Sequence, residues 1–367
     1  MPAELFSVEQ VERARRYHRP LYLALLLDVT LGLGVLSVLA FTRAGAWLYS
    51  AVDELPWWGR ALAFPGLVLS VSTLVRLPLS FWRGYLHEHR WKLSTQGVRG
   101  WLLDRLKGFA VGVVLTPGAV LGLVALARWS PSAWPLVAAP AAAVVVLLVG
   151  FAAPVVFEPL FNRFAPLRDD ELADSLRALA RRAGVPVRDV LVADASRRTR
   201  KVNAYVSGLG ATRRVVLFDT LLAAGDPRQI RLVVAHELGH RRARHVAKAT
   251  VLGMAGAAAT VLALWALVSH PGDPRSAPRL LLVAGALELA ALPFASWLSR
   301  RWEREADRFS LELTDDVEAF EAAHTELAAS NLADLDPPRP LYALLFAHPT
   351  PPERIAAARA WARATVG

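Results

Sequence analysis

The stretch that decides the reading is VVAHELGHRRARH, residues 233–245. Within it His236 and His240 stand four apart, with Glu237 beside the first. On an α-helix residues four apart share a face, so two imidazoles point the same way with a carboxylate alongside. Two nitrogen ligands and a base for a water are what a hydrolytic zinc centre uses. The pattern also arises by chance on charged amphipathic helices, so its meaning turns on a third ligand. The helix is announced by GDPRQI, where Asp226 caps, Pro227 takes the first helical position and Gln229 completes a capping box. Gly239 inside that helix costs ~1 kcal/mol relative to alanine, which points to another element packed closely there.

The surrounding chain is 367 residues long, 54% hydrophobic and only 20% charged, a composition of membrane proteins. Six apolar runs are long enough to cross about 30 Å of hydrocarbon: Leu21–Phe41, Ala61–Trp82, Phe109–Ala127, Trp134–Phe157, Ala249–Val268 and Leu280–Leu298. The first is too long for a signal peptide, and a second span soon follows it. The net charge of +10 sits in loops beside the spans, which speaks for a lipid bilayer rather than nucleic acid as partner. With no cysteine, thiolate metal sites and cysteine nucleophiles are excluded, and any metal is held by His and carboxylates.

Arg13, Arg15, Arg16 and Arg19 precede span one, and the loop 83–108 is equally basic, so both are expected in the cytoplasm. Alternation then puts the polar regions on the same side. The expected organisation is a four-span membrane unit (1–157), an α/β half carrying HELGH (158–248), a transmembrane hairpin (249–298) and a second polar half (299–367). Within 158–248, residues 169–183 read as a helix, and 189–194, 203–210 and 213–219 as short strands.

That arrangement supplies the third ligand. If the motif helix runs on through span five, turns at HPGDPRSAPR (270–279) and returns through span six, the midpoint between His240 and Glu303 falls at Pro271 and Gly272. Two nearly straight antiparallel helices bring Glu303 level with His240. In WEREAD, Glu303 and Asp307 share a face while Glu305 points roughly the opposite way. Glu303 is then the third ligand, and Asp307 is placed to receive the other ring N–H of a ligating histidine.

HELGH with a distant E-x-x-A-D, PLFNRFAP at 159–166, NAYVSGLG, RRVVLFDTLL, HPTPPERI at 348–355 and the basic loop HEHRWKLSTQGVRGWLLDRLK together resemble the M48 membrane zinc metallopeptidases. The closer likeness is to the CAAX prenyl protease 1, or Ste24-like, branch. The resemblance implies one Zn2+ per chain on His236, His240 and Glu303, with Glu237 as catalytic base. It further implies that Asn203 lies in a strand that pairs with an extended substrate, and that His348 and Arg354 hold the scissile carbonyl or its oxyanion. By themselves these last residues favour plainer readings, a turn asparagine and a proline-rich loop closed by an arginine. The chain departs from the eukaryotic members in having six spans rather than seven, and Arg304–Glu305 where they carry Phe and Gln.

The sequence therefore describes a mainly α-helical integral membrane protein whose cytoplasmic, zincin-like α/β peptidase domain is split around a transmembrane hairpin. It is expected to cut peptide or membrane-protein substrates, with its active site on the cytoplasmic face of a bacterial plasma membrane. A rival reading makes Asp28 and Glu288, carboxylates inside spans one and six, the working groups of a transporter or channel. A zinc-binding chamber protein without turnover is a further alternative. Both acids are expected to face the bundle interior, and Arg76 to snorkel toward the inner end of span two.

Overall fold

The computed structural model describes residues 5–208 and 213–366. Leu209 and Gly210, the end of NAYVSGLG, lie outside the described residues. The chain runs through α1 (Val8–Phe41), α2 (Trp57–Phe81), α3 (Val98–Trp129), α4 (Trp134–Ala152), β1 (Phe164–Pro166), α5 (Asp170–Arg182) and β2 (Asp189–Ala193). It continues through β3 (Ala204–Ser207), β4 (Arg214–Phe218), α6 (Pro227–Arg242), α7 (His245–Leu267), α8 (Ala277–Thr314), α9 (Val317–Asn331) and α10 (Pro351–Val366). Shorter helices lie between. Six of these helices, α1 to α4, α7 and α8, are long and apolar enough to cross a membrane.

Helix α1 starts well before its apolar run because Ser7 and Gln10 close a reciprocal cap: Gln10 N–H donates to Ser7 Oγ at 3.1 Å and Ser7 N–H to Gln10 Oε1 at 2.7 Å. Its basic first turns thus stand clear of the hydrocarbon. The six helices pack in chain order, each on the next, and α8 returns against α1 to close the circuit. Their buried apolar residues gather at the end remote from the sheet, among them Leu39, Phe64, Val124, Trp134, Leu264 and Leu280. The apolar packing of the bundle is therefore concentrated at that end.

Asp28 does not stand alone. Arg76 grips it in a two-pronged ion pair at 2.8 and 2.6 Å between α1 and α2, where the sequence suggested a snorkelling arginine. Pairing removes most of the reason a carboxylate is costly at bilayer depth. Glu288 is exposed on α8.

The polar segment after α4 forms a four-stranded sheet in the order β1-β2-β4-β3, with β2 and β4 parallel and the outer pairs antiparallel. Strand β1, inside PLFNRFAP, is too short to announce itself. Leu172, Leu176 and Leu179 of α5 and Ile230, Val234 and Leu238 of α6 pack on Val190, Val215 and Leu217 in one apolar core. Asp226 caps α6 through Arg228 N–H at 2.8 Å; the expected return bond from Gln229 does not form among the described residues.

Helix α6 packs closely against the C-terminal half of α8. A Cβ on Gly239 would lie 3.2 Å from Ala306 Cα and 3.0 Å from Phe309 Cδ1, which is the close neighbour the glycine implied. The motif helix does not run on into span five as expected. Helix α6 ends at Arg242, Arg244 takes a left-handed conformation (φ 58°), and α7 starts afresh at His245. After that break α7 packs chiefly on α4, and α8 on α1.

Candidate metal centre

Helix α6 presents His236 and His240 to the face of α8 that carries Glu303 and Asp307. His236 Nε2 lies 3.3 Å from Glu303 Oε2, His240 Nε2 lies 3.2 Å from Glu303 Oε1, and the two Nε2 atoms are 3.1 Å apart. A tetrahedral ion with bonds of ~2.0–2.1 Å separates its ligand atoms by roughly 3.3 Å. The triangle is therefore the size such an ion needs. Among the described residues these three form the group that could hold a metal. Glu303 Oε2 is buried and makes no hydrogen bond, an orphan that a cation would satisfy. The donor set fits a borderline-soft divalent ion and leaves a fourth position open.

Around the triangle the contacts are specific. Asp307 Oδ1 lies 2.9 Å from His236 Nδ1, and Arg354 Nε donates to Asp307 Oδ2 at 2.8 Å. Arg354 Nη2 also lies 3.2 Å from His236 Nδ1. The arginine thus sits behind His236, engaged by Asp307. His348 Nε2 lies 3.4 Å from Glu303 Oε1, with its side chain 64% exposed. Asn203 precedes β3, which is an edge of the sheet; its carbonyl accepts from Phe218 N–H at 3.0 Å and its Oδ1 from Ala204 N–H at 2.9 Å. Asn203, His236, Glu237, Glu303, His348 and Arg354 all line one cavity of about 430 Å3.

Glu305 turns away from the triangle toward His245, a residue the sequence reading passed over. Its only signal was the last letter of the opening stretch, and on an unbroken helix it would point elsewhere.

The electrostatics favour positive charge at the centre. Burial alone disfavours a charged His236, but Asp307 and Glu303 outweigh it and lift the imidazole to about 9. Although burial opposes them, Glu303 and Asp307 are held well below the usual carboxylate range, Glu303 by the two histidines and Asp307 by Arg354 and His236. Glu237 moves the other way: burial raises it, and Glu303 adds to that against the pull of the histidines.

His324 on α9 shows the opposite logic. It stacks on Phe320 with ring centroids 4.0 Å apart, and burial together with Arg354 lowers its pKa to about 3. The unfolded chain takes up this proton below about pH 6.5 and the folded chain does not. Stability from this group is therefore lost as pH falls, by ~1.4 kcal/mol per unit between about 6.5 and about 3, and is unaffected above that window. The variant His324→Leu is expected to flatten the acid side of the melting-temperature profile in detergent. Parallel profiles for parent and variant would contradict this.

Comparisons with known proteins cover both halves of the chain. Residues 166–362 match the model of Peptidase family M48, and residues 2–163 match "CAAX prenyl protease N-terminal, five membrane helices". The chain is 30% identical over 371 residues to Uncharacterized metalloprotease YhfN of Bacillus subtilis, covering 96% of this chain and 85% of that protein. It is 34% identical over 188 residues to CAAX prenyl protease 1 of Saccharomyces cerevisiae, a match over 51% of this chain and 42% of that longer protein. In three dimensions it resembles the crystal structure of S. mikatae Ste24p, with TM-score 0.82 at 25% identity, covering 96% of this chain and 89% of the other. The transporter reading has no such support, and Asp28 already has its partner. With the peptidase model matched over the segment that holds the HELGH helix and Glu303, and the membrane model over the segment before it, the chain belongs to peptidase family M48 and is a Ste24-like membrane metallopeptidase.

Proposed function

We propose that the metal is a single zinc ion held by His236, His240 and Glu303, and that the chain cuts peptide bonds at the cytoplasmic face of a bacterial plasma membrane. The observation that carries the assignment is the 3.1–3.3 Å triangle of His236 Nε2, His240 Nε2 and the Glu303 carboxylate. When bound, zinc supplies Lewis acidity and lowers the pKa of a water toward ~7.

The chain's own residues do the rest. Glu237, adjacent to His236 and lining the same cavity, takes the proton from the attacking water; its raised affinity for protons suits that task. Asp307 accepts the Nδ1–H of His236 and so turns Nε2 toward the ion, while Arg354 holds Asp307. Because Arg354 is engaged there, His348, exposed at the cavity wall, is the nearer donor for the developing oxyanion, with Arg354 supporting it from behind. The edge strand β3 and Asn203 at its start give an extended peptide a backbone to pair with. The substrate is then an extended segment of a peptide or membrane protein presented along that edge strand.

Orientation is testable because the chain has no cysteine of its own. Ser132 lies at the end of the bundle remote from the sheet, and Arg99 and Arg188 lie at the other end, all three exposed. A membrane-impermeant maleimide applied to intact cells is expected to label Ser132→Cys, and to label Arg99→Cys and Arg188→Cys only after permeabilisation. Labelling of Arg188→Cys in intact cells would put the site on the wrong face.

A further inference from the structure

We infer that His245, Glu305 and Trp302 form a positioning relay that fixes the ring orientation and tautomer of His240. The inference rests on the assignment of His240 as a ligand and adds residues to which that assignment gives no role.

On a continuous helix His245, five residues after His240, would lie about 140° around the axis from it and could not meet its ring. The chain breaks the helix between them instead. Arg244 adopts φ 58°, ψ 32°, a left-handed conformation that residues with a Cβ rarely take, and it serves as the N-terminal flank of α7 without any side-chain cap. Strain of this kind is retained where something else depends on it. What the break achieves is visible: His245 is folded back so that its Nδ1 lies 3.0 Å from His240 Nδ1.

The partners then settle which nitrogen carries hydrogen. His245 Nε2 lies 3.2 Å from Glu305 Oε2. An ionised carboxylate only accepts, so His245 Nε2 bears the hydrogen and, in the neutral ring, Nδ1 is left as the acceptor. An acceptor 3.0 Å from His240 Nδ1 requires that atom to be the donor. His240 Nε2 is thereby left with its lone pair free, and Nε2 is the atom that faces Glu303 at 3.2 Å. Trp302 holds the relay flat, its ring stacked on His245 at 5.0 Å with 13° between planes. His245 is buried, whereas the Glu305 side chain is 54% exposed, so the relay runs from solvent to the metal triangle. His236 reaches the same orientation through Asp307, so each histidine has its own carboxylate behind it, one direct and one through a second imidazole.

The test uses purified full-length chain in detergent and reads zinc affinity alone, by competition with a chromophoric chelator. His245→Phe keeps a flat ring on Trp302 but removes the acceptor, and is expected to weaken zinc binding roughly 10- to 100-fold. His245→Asn loses the ring but places an amide oxygen near the position of Nδ1, and is expected to bind zinc more tightly than His245→Phe. A role in packing alone predicts the reverse order, and that order would overturn the relay. Glu305→Ala and Glu305→Gln decide the matter from the exposed end should the buried variants fold poorly. The alanine should bind zinc several-fold more weakly than the glutamine, whose oxygen still accepts from His245; equal affinities would overturn the inference. His240→Ala separates the two levels of the argument. Zinc bound as in the parent would refute the ligand assignment, whereas zinc lost there but unchanged in His245→Phe would refute only the relay.

Discussion

Glu237→Gln is expected to abolish hydrolysis while the purified chain keeps about one zinc. The substitution preserves size and removes only the ability to take a proton. Glu237 is not a vertex of the 3.1–3.3 Å triangle, so the ligand set is untouched. Its position in the cavity wall and its raised pKa, caused first by burial and then by Glu303, suit a proton acceptor poised for water. Removing a general base of this kind lowers turnover by roughly 10²- to 10⁴-fold. His236→Ala and His240→Ala are expected to lose zinc and activity together. Metal content by elemental analysis and cleavage of a reporter peptide, measured on one preparation, separate these classes. Turnover in Glu237→Gln close to that of the parent would overturn the mechanism.

The second large effect distinguishes two carboxylates two residues apart. Glu303→Ala is expected to remove zinc and activity, because the lost group spans both histidines through its two oxygens at 3.3 and 3.2 Å. Glu305→Ala should keep close to stoichiometric zinc at saturating metal, since its carboxylate reaches the centre only through His245. Asp307→Ala falls between them, weakening metal affinity by roughly 10- to 100-fold as Nδ1 of His236 loses its acceptor. It also removes the nearer of the two carboxylates that pair with buried Arg354, leaving Glu303 at 3.9 Å, so lower stability should accompany the weaker binding. Zinc lost from Glu305→Ala but kept by Glu303→Ala would mean that the facing of α8 toward α6 is wrong.

Glu303 is legible in the sequence, whereas the path of the chain to it is not. Counting to the midpoint takes the motif helix and span five as one straight helix; the chain breaks at Arg244, yet the right residues come level. The reason is that both helices cross the same ~30 Å of hydrocarbon, so equal arms are imposed by the bilayer whatever the helices pack against. The break at Arg244 left no mark in RRARH, whose residues suit a helix and include no glycine to advertise a left-handed turn. With the break unseen, His245 could only be read as pointing away. Gly239 was readable because a glycine inside a helix has a cost that needs a cause, and the cause is the backbone of Ala306. Arg76 shows the reverse case. Its position near a span end invited the snorkelling reading, and nothing in the sequence of α2 marks Asp28 of α1 as its partner. The engagement of Arg354 by Asp307 is likewise tertiary, joining helices 47 positions apart in sequence.

The central claim is that two imidazoles and one carboxylate hold the metal. Zinc K-edge absorption spectroscopy on the purified, zinc-loaded chain tests it most directly. The account predicts two imidazole nitrogens at ~2.0–2.1 Å, carboxylate oxygen at ~2.0–2.2 Å and one further light atom at the open position. A third imidazole in the coordination sphere, from His245 or His348, or a chain that takes up no zinc, would contradict it.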